Sequence, residues 1–136
     1  MDIEKLKRDH SEIMAQVTQL KKLTQSGIVE NADAIARQIV AMSSLIKLHL
    51  AAEDRVLYPA FAKSANPDIA RTGEAFQRNM GDIAAAYVKF AGNWNIATTL
   101  SENPEGFREE ANNIFKALHQ RIQMENSELY PLAGEV

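Results

Sequence analysis

The sequence predicts an all-α protein, an up-down-up-down four-helix bundle in which residues 1–136 form one domain. Apolar residues recur at alternating steps of three and four within four segments, which is the spacing of a helix that buries one face. Glycine and proline fall between these segments, and the connections are short, as in up-down bundles. No segment alternates apolar and polar residues with period two, so a sheet is not predicted.

The predicted core faces follow from the same steps. The first helix contributes Ile3, Leu6, His10, Ile13, Val17 and Leu20. The second contributes Ile35, Ile39, Met42, Ile46, His49, Glu53, Val56 and Ala60. The third contributes Ile69, Gly73, Phe76, Met80, Ile83, Tyr87, Phe90 and Trp94. The fourth contributes Phe107, Ala111, Ile114, Leu118, Arg121, Glu125, Glu128 and Leu132.

Short signals mark the ends of these helices. Gly27 follows the first segment and can cap it, because glycine readily adopts a left-handed conformation. Asn66-Pro67 and Asn103-Pro104 each combine a favourable N-cap residue with proline at the first helical position. Residues 96–103 are the one connection long enough to form a flexible lid or a contact loop.

The composition narrows the possible functions. The chain of 136 residues is 46% hydrophobic and 24% charged, with a formal net charge of −3. It lacks the basic excess that a nucleic-acid partner or an anionic membrane surface would favour. It has no cysteine, which excludes disulfides, thiolate metal ligands and cysteine nucleophiles. No signal-peptide pattern and no run of ~20 apolar residues occurs, so we expect a soluble, cytoplasmic protein without a membrane partner.

One sequence frame is written twice, as HLAAEDRVLYP at 49–59 and RIQMENSELYP at 121–131. Each copy carries a glutamate at its fifth position and ends in Leu-Tyr-Pro. The first letter differs, because His49 opens one copy and Arg121 opens the other. The prolines should end or bend both helices about one turn beyond the glutamate.

Polar residues occupy positions that should face the core, namely His10, His49, Glu53, Arg121 and Glu125. Residues four apart share a helix face, so His49 lies beside Glu53. Burying an ionised carboxylate without a partner costs several kcal/mol. The two glutamates therefore require cations, which can be a metal ion, the guanidinium, protonated histidines or a mixture. The sequence predicts one polar cluster built from three helices.

Two further polar residues are predicted to lie outside this cluster. His119 precedes Arg121 by two residues, which is about 200° around a helix, so it should point to the surface. Glu128 lies past the middle of its helix and should extend its carboxylate into water.

These residues resemble the pattern of hemerythrin-like (HHE) domains, which have a histidine on helix 1, HxxxE on helix 2, one or two histidines on helix 3 and HxxxE or HxxxxD on helix 4. The resemblance covers essentially the whole chain, and HxxxExxxLYP is fairly specific to it. It implies a bundle that holds a non-haem di-iron centre bridged by the glutamates. It also implies a protein that binds oxygen or senses oxygen, nitric oxide or iron. The absence of ExxH argues against a ferritin-like protein.

The resemblance assigns ligands and also shows departures from the family pattern. It implies four metal ligands, namely His10, His49, Glu53 and Glu125. Three residues stand where the family writes further histidines, namely Phe76, Met80 and Arg121. Arginine has no free lone pair, and a thioether is a poor partner for iron beside carboxylates. We therefore do not expect a di-iron centre.

Arg121 offers a rigid fork of donors instead, which suits carboxylates. We expect its guanidinium to replace the second metal and to bond Glu125, with Glu53 as a further candidate on the same side. Met80 and Phe76 would then fill the vacated space with apolar volume.

The function expected from these residues is a non-enzymatic regulatory or interaction module. It would hold either no metal or one weakly bound iron, zinc or manganese ion at the four ligands. The alternative is an iron-binding protein that binds or senses oxygen or nitric oxide through the same residues. Catalysis is not expected, because no nucleophile–base constellation, P-loop or dinucleotide fingerprint occurs. A protein partner is expected without being specified, and no nucleic-acid partner is expected.

Overall fold

The computed structural model describes residues 2–136, which form a bundle of helices without any strand. The α-helices are α1 (Ile3–Gln25), α2 (Ala32–Ala52), α3 (Tyr58–Ala62), α4 (Pro67–Trp94), α5 (Ala97–Glu102) and α6 (Pro104–Met124). A π-helical turn, Glu53–Leu57, joins α2 to α3, and a second one, Glu125–Leu129, joins α6 to a terminal 3₁₀ segment, Tyr130–Glu135.

The long helices pack in the predicted order. Helix α1 contacts α2 and α6, and α4 contacts the same two helices, so the four of them close a bundle. The predicted four-helix bundle is therefore confirmed. Within residues 2–136, no helix has both the length and the apolar character needed to cross a membrane.

The predicted helix ends are confirmed by their caps. Asn66 accepts a hydrogen bond from the backbone N–H of Asp68 at 2.9 Å, and Asn103 accepts one from Gly106 at 3.0 Å. Both side chains satisfy donors that the first helical turn leaves free. Helix α1 ends just before Gly27, whose φ of 120° lies in the left-handed region that favours glycine.

The length of the 96–103 connection suggested a flexible lid or a contact loop, but the structure has a short helix there. Most of this stretch forms α5, which packs against α2, α4 and α6. Leu100 has no exposed surface and anchors the short helix in the core. Burial of this side chain is the physical reason that the connection is ordered.

The predicted core face is also wrong beyond each glutamate. Val56 is 52% exposed, whereas Leu57 is fully buried. In the second frame Glu128 is exposed, as expected for its carboxylate, and Leu129 is the buried residue that the spacing did not predict. Each π turn adds one residue to the helical turn, so the inward face passes to the next residue along the chain. The spacing of three and four residues therefore predicts the buried positions only as far as Glu53 and Glu125.

A polar layer separates two apolar clusters. The larger cluster includes Ile13, Ile46 and Ile122, and the smaller one includes Leu6 and Leu129. On each contributing helix, the polar residue lies between members of the two clusters. The candidate site is therefore closed on both sides by packed hydrophobic side chains.

Candidate metal centre

The structure brings four of the predicted site residues together in the polar layer. His10 lies on α1, His49 on α2, and Glu53 and Glu125 are the first residues of the two π turns. Each is at most 3% exposed. One potential ligand atom from each residue lies within 4.8 Å of the others.

Both histidines are fixed by acceptors on their outer nitrogens. His10 Nδ1 lies 2.8 Å from Asn126 Oδ1, and His49 Nδ1 lies 3.2 Å from Asp9 Oδ2. An imidazole that donates from Nδ1 leaves Nε2 free to bind a metal or a proton. Such outer-sphere acceptors are typical of metal-binding histidines.

Both Nε2 atoms point into the cluster. His10 Nε2 lies 3.1 Å from His49 Nε2 and 2.9 Å from Glu125 Oε1. His49 Nε2 lies 3.3 Å from Glu53 Oε1. Two lone pairs and two carboxylate oxygens repel each other at such distances, so a proton or a cation has to lie among them.

The two carboxylates each present one oxygen to the histidines and one to tyrosines. Glu53 Oε1, which faces His49, is buried and has no hydrogen-bond partner among the described residues. Its other oxygen accepts a hydrogen bond from Tyr130 at 2.9 Å. Glu125 Oε2 accepts a longer one from Tyr58 at 3.4 Å.

Burial and hydrogen bonding shift the titration of these groups in different directions. Burial lowers the pKa of His49, but the nearby carboxylates of Glu125, Glu53 and Asp9 outweigh this and raise it to about 10. Burial raises the pKa of Glu53, and His49 offsets only part of that increase. Burial also favours a higher pKa for Glu125, but hydrogen bonds from His10 and His49 outweigh it and lower the pKa to about 2. Without a metal, the cluster therefore retains a proton between His49 and Glu53 at neutral pH.

Both tyrosines remain donors in this setting. Burial raises the pKa of Tyr58, and the charges of Glu53 and Glu125 raise it further. Burial and the same two carboxylates raise the pKa of Tyr130. Their hydroxyl groups stay protonated at neutral pH, so they can stabilise the carboxylates by donating hydrogen bonds.

Arg121 is buried beside the cluster, as predicted, but its contacts differ from the prediction. Its Nε lies 3.7 Å from Glu125 Oε2, and the terminal nitrogens donate to the Phe76 carbonyl and, at 2.9 Å, to Asn79. The guanidinium also lies over the Phe76 ring, 4.2 Å from its centroid. The expected ion pair with Glu125 is present, but the two hydrogen bonds that the guanidinium donates go to α4, and within the described residues none goes to Glu53.

Phe76 and Met80 are both buried on α4, as their place in the apolar spacing predicted. Phe76 contributes its ring and carbonyl to Arg121, and it belongs to the smaller apolar cluster. Met80 lies one turn further along α4. The two remaining predictions agree with the structure, since His119 and Glu128 are exposed.

Four residues of the site were not predicted from the sequence. They are Asp9, Tyr58, Asn126 and Tyr130. The sequence contains a feature that could have indicated the tyrosines, because both copies of the frame end in Leu-Tyr-Pro. Asp9 and Asn126 had none beyond standing next to His10 and Glu125 in the chain.

The residues present fit one metal ion. Ligands at about 2.0–2.2 Å from a tetrahedral ion are separated by about 3.4 Å. The closest ligand atoms here are 2.9 to 3.3 Å apart, His49 Nε2 and Glu125 Oε1 are 4.0 Å apart, and all four lie within 4.8 Å of one another. The Glu53 oxygen without a partner supplies one acceptor that the ion would satisfy. Imidazole nitrogen with carboxylate oxygen suits iron, zinc and manganese.

The comparisons with known proteins give one match. No curated protein and no solved structure matches the chain. The sequence does match the family described as the hemerythrin HHE cation-binding domain over residues 1–133, which is nearly its whole length. The chain therefore belongs to the hemerythrin HHE cation-binding domain family.

Proposed function

We propose that this HHE domain binds one divalent transition-metal ion, iron foremost, and acts as a non-enzymatic regulatory module that responds to the metal. The ligands are His10, His49, Glu53 and Glu125. The observation that carries the proposal is the convergence of two Nε2 atoms and two carboxylate oxygens within 4.8 Å. The acceptors on both Nδ1 atoms support it, because they fix the tautomer that a metal requires.

The charge count supports occupancy by a single ion. The glutamates contribute −2, Arg121 contributes +1 and a divalent ion contributes +2, which leaves +1 in the layer. A second divalent ion would raise this to +3 in a buried site beside Arg121. Desolvation makes such a surplus costly. By the resemblance to the family pattern, Phe76, Met80 and Arg121 stand at the places of further histidines, so a second position would lack imidazole ligands.

The position of the layer in the bundle supports a regulatory role. The ligands come from α1, from α2 with its following π turn, and from the π turn after α6. A ligand that binds only the folded state stabilises it by RT ln(1 + [L]/Kd), which is about 4 kcal/mol at 1,000 times Kd. Metal occupancy would thus couple the stability of the bundle, and of any partner surface on it, to metal supply.

The test is the metal content per chain. The protein is incubated anaerobically with Fe²⁺, desalted and measured by inductively coupled plasma mass spectrometry. We expect about one iron per chain, and a His49→Ala variant should lose most of it. His119→Ala is the matched control, because it removes an exposed histidine and should retain the metal. A content near zero would overturn the proposal, and a content near two would overturn the single-ion stoichiometry.

A metal-free role is the second candidate, and one observation favours it. The raised pKa of His49 allows a proton to occupy the position of the metal. One proton with Arg121 balances the two carboxylates. In that case the layer is a salt-bridged core, and the function would reside on the exposed surface as protein binding.

A further inference from the structure

The two copies of the sequence frame are connected by a crossed pair of hydrogen bonds. Tyr58 of the first copy donates to Glu125 of the second at 3.4 Å. Tyr130 of the second copy donates to Glu53 of the first at 2.9 Å. Each tyrosine follows the glutamate of its own copy by five residues and contacts the glutamate of the other.

The π turns produce this crossing. In each turn the backbone N–H of the tyrosine donates to the carbonyl of the glutamate five residues earlier. The added residue places the tyrosine on the inner face of its helix, and Tyr58 and Tyr130 are only 4% and 3% exposed. Their hydroxyl groups therefore reach across the bundle to the opposite carboxylate.

This arrangement gives the two oxygens of each carboxylate different environments. The Oε1 atoms face the histidines, at 3.3 Å for Glu53 with His49 and at 2.9 Å for Glu125 with His10. The Oε2 atoms receive the tyrosine hydroxyl groups. The Tyr130 hydroxyl group also lies 3.1 Å from His10 Nε2, so it borders the cluster directly. A hydrogen bond from a hydroxyl group makes Oε2 a weaker ligand than Oε1, so each glutamate would coordinate through Oε1 alone.

We propose that Tyr58 and Tyr130 are positioning residues that hold both glutamates as one-oxygen ligands and thereby set the choice of metal. This inference rests on the proposed metal-binding function. Four single-atom ligands satisfy an ion that accepts tetrahedral coordination, such as Zn²⁺. They satisfy less well an ion that prefers more oxygen ligands, such as Mn²⁺. The tyrosines therefore favour Zn²⁺ over Mn²⁺ relative to the same site without them.

The chain provides a matched control for the loss of a buried hydroxyl group. Tyr87 is 2% exposed and donates a hydrogen bond to the Ile39 carbonyl, within the larger apolar cluster. Tyr87→Phe removes the same atom from the same bundle without altering either glutamate. A purely structural effect on stability would appear in all three tyrosine variants.

The experiment measures Zn²⁺ and Mn²⁺ affinity by chelator competition for the wild type, Tyr58→Phe, Tyr130→Phe, the double variant and Tyr87→Phe. Loss of an outer-sphere partner typically weakens metal binding by about 10–100-fold. We expect Zn²⁺ binding to weaken by about tenfold in each single site variant and further in the double variant. Mn²⁺ binding should weaken less, because the freed Oε2 can coordinate the larger ion. Tyr87→Phe should leave both affinities unchanged.

The outcomes separate this inference from the proposed function. If the single variants Tyr58→Phe and Tyr130→Phe bind both ions with the affinity of the wild type and with the same Zn²⁺/Mn²⁺ ratio, the proposed role of the tyrosines is overturned. Metal binding by the four ligands would remain in place. An equal loss of both affinities in Tyr87→Phe would also overturn it, because the effect would be structural. A wild type that binds neither ion would overturn the proposed function together with this inference. Circular dichroism and thermal unfolding identify any variant that fails to fold, and the single variants then replace the double one.

Discussion

At the scale of single residues, the central feature is competition between a proton and a metal ion for the same position. His49 Nε2 faces His10 Nε2 at 3.1 Å and Glu53 Oε1 at 3.3 Å. In the absence of a metal, a proton on His49 satisfies these acceptors. A metal needs the lone pairs, so its binding releases this proton. The same four side chains therefore support a protonated core and a metal site.

The protonated core predicts a pH dependence of stability in chelator. Nearby carboxylates raise the pKa of His49 to about 10 in the folded state, whereas the ordinary value for histidine is 6.5. A raised folded-state pKa contributes stability that is fully present below pH 6.5 and is lost as the pH rises through 10. Between pH 6 and pH 9 the loss is on the order of 3 kcal/mol, or about 10 °C in Tm.

Thermal unfolding of the chelator-treated protein at pH 6, 7.5 and 9 checks this expectation. His49→Gln is the control, because a neutral amide lacks the titration and should show a much flatter profile. A wild-type Tm that stays constant over this range would show that no such proton stabilises the folded state.

Arg121 illustrates how a residue can be placed correctly by sequence and still bond differently. Its position four residues before Glu125 predicts proximity, and the two side chains are indeed adjacent. Sequence spacing does not reveal the backbone of the neighbouring helix, and Arg121 donates to the Phe76 carbonyl on α4. A buried guanidinium has five donors to satisfy, so the nearest free acceptors decide its orientation.

At the scale of elements, the sequence predicts the four long helices and their caps but neither α5 nor the π turns. Helical periodicity and Asn-Pro pairs depend on local chemistry, which is visible in one sequence. A π turn adds one residue to one turn, and that residue looks like any other. The second frame does contain one indication of a π turn. A regular helix would bury the charged Glu128 and expose the apolar Leu129, which is unfavourable for both side chains. The crossed tyrosines follow from the π turns, so they could not be predicted without them.

Close packing between α3 and α4 gives a prediction at the same scale. A methyl group at Gly73 would lie 2.5 Å from the Cβ of Phe61, which is fixed to the α3 backbone. Gly73→Ala gains up to about 1 kcal/mol of helix propensity. The clash should outweigh this gain and lower the stability by a net 1–3 kcal/mol, roughly the cost of an overpacked core.

Gly81→Ala is the matched control on the same helix. A methyl group there meets no atom within 4 Å among the described residues, so stability should rise by up to about 1 kcal/mol. Urea unfolding of both variants measures the difference. A Gly73→Ala protein as stable as Gly81→Ala would show that α3 can move away from α4 at little cost.

At the scale of the whole molecule, the fold determines how many cations the layer can hold. The layer lies between two apolar clusters, so each charge in it has to be balanced locally. One side of the glutamates carries His10 and His49. The other side carries Arg121 and the Tyr58 hydroxyl group beside Glu125, and α4 places the Phe76 ring against the guanidinium. The Tyr130 hydroxyl group lies between Glu53 and His10. The asymmetry of the bundle therefore favours one cation at the histidine side.

Reversing that asymmetry should add a second metal. Met80→His together with Arg121→His removes the guanidinium and supplies two imidazole ligands, one on α4 and one on α6. We expect about two irons per chain after anaerobic loading, against about one in the wild type. Met80→Leu together with Arg121→Leu is the control, because it removes the charge without adding ligands and should remain near one. Plasma mass spectrometry gives the counts, and circular dichroism verifies the fold. If the histidine variant also holds only one iron per chain, positions 80 and 121 do not face a common metal position. The presence of Met80 and Arg121 would then not be the reason that the wild type binds a single ion.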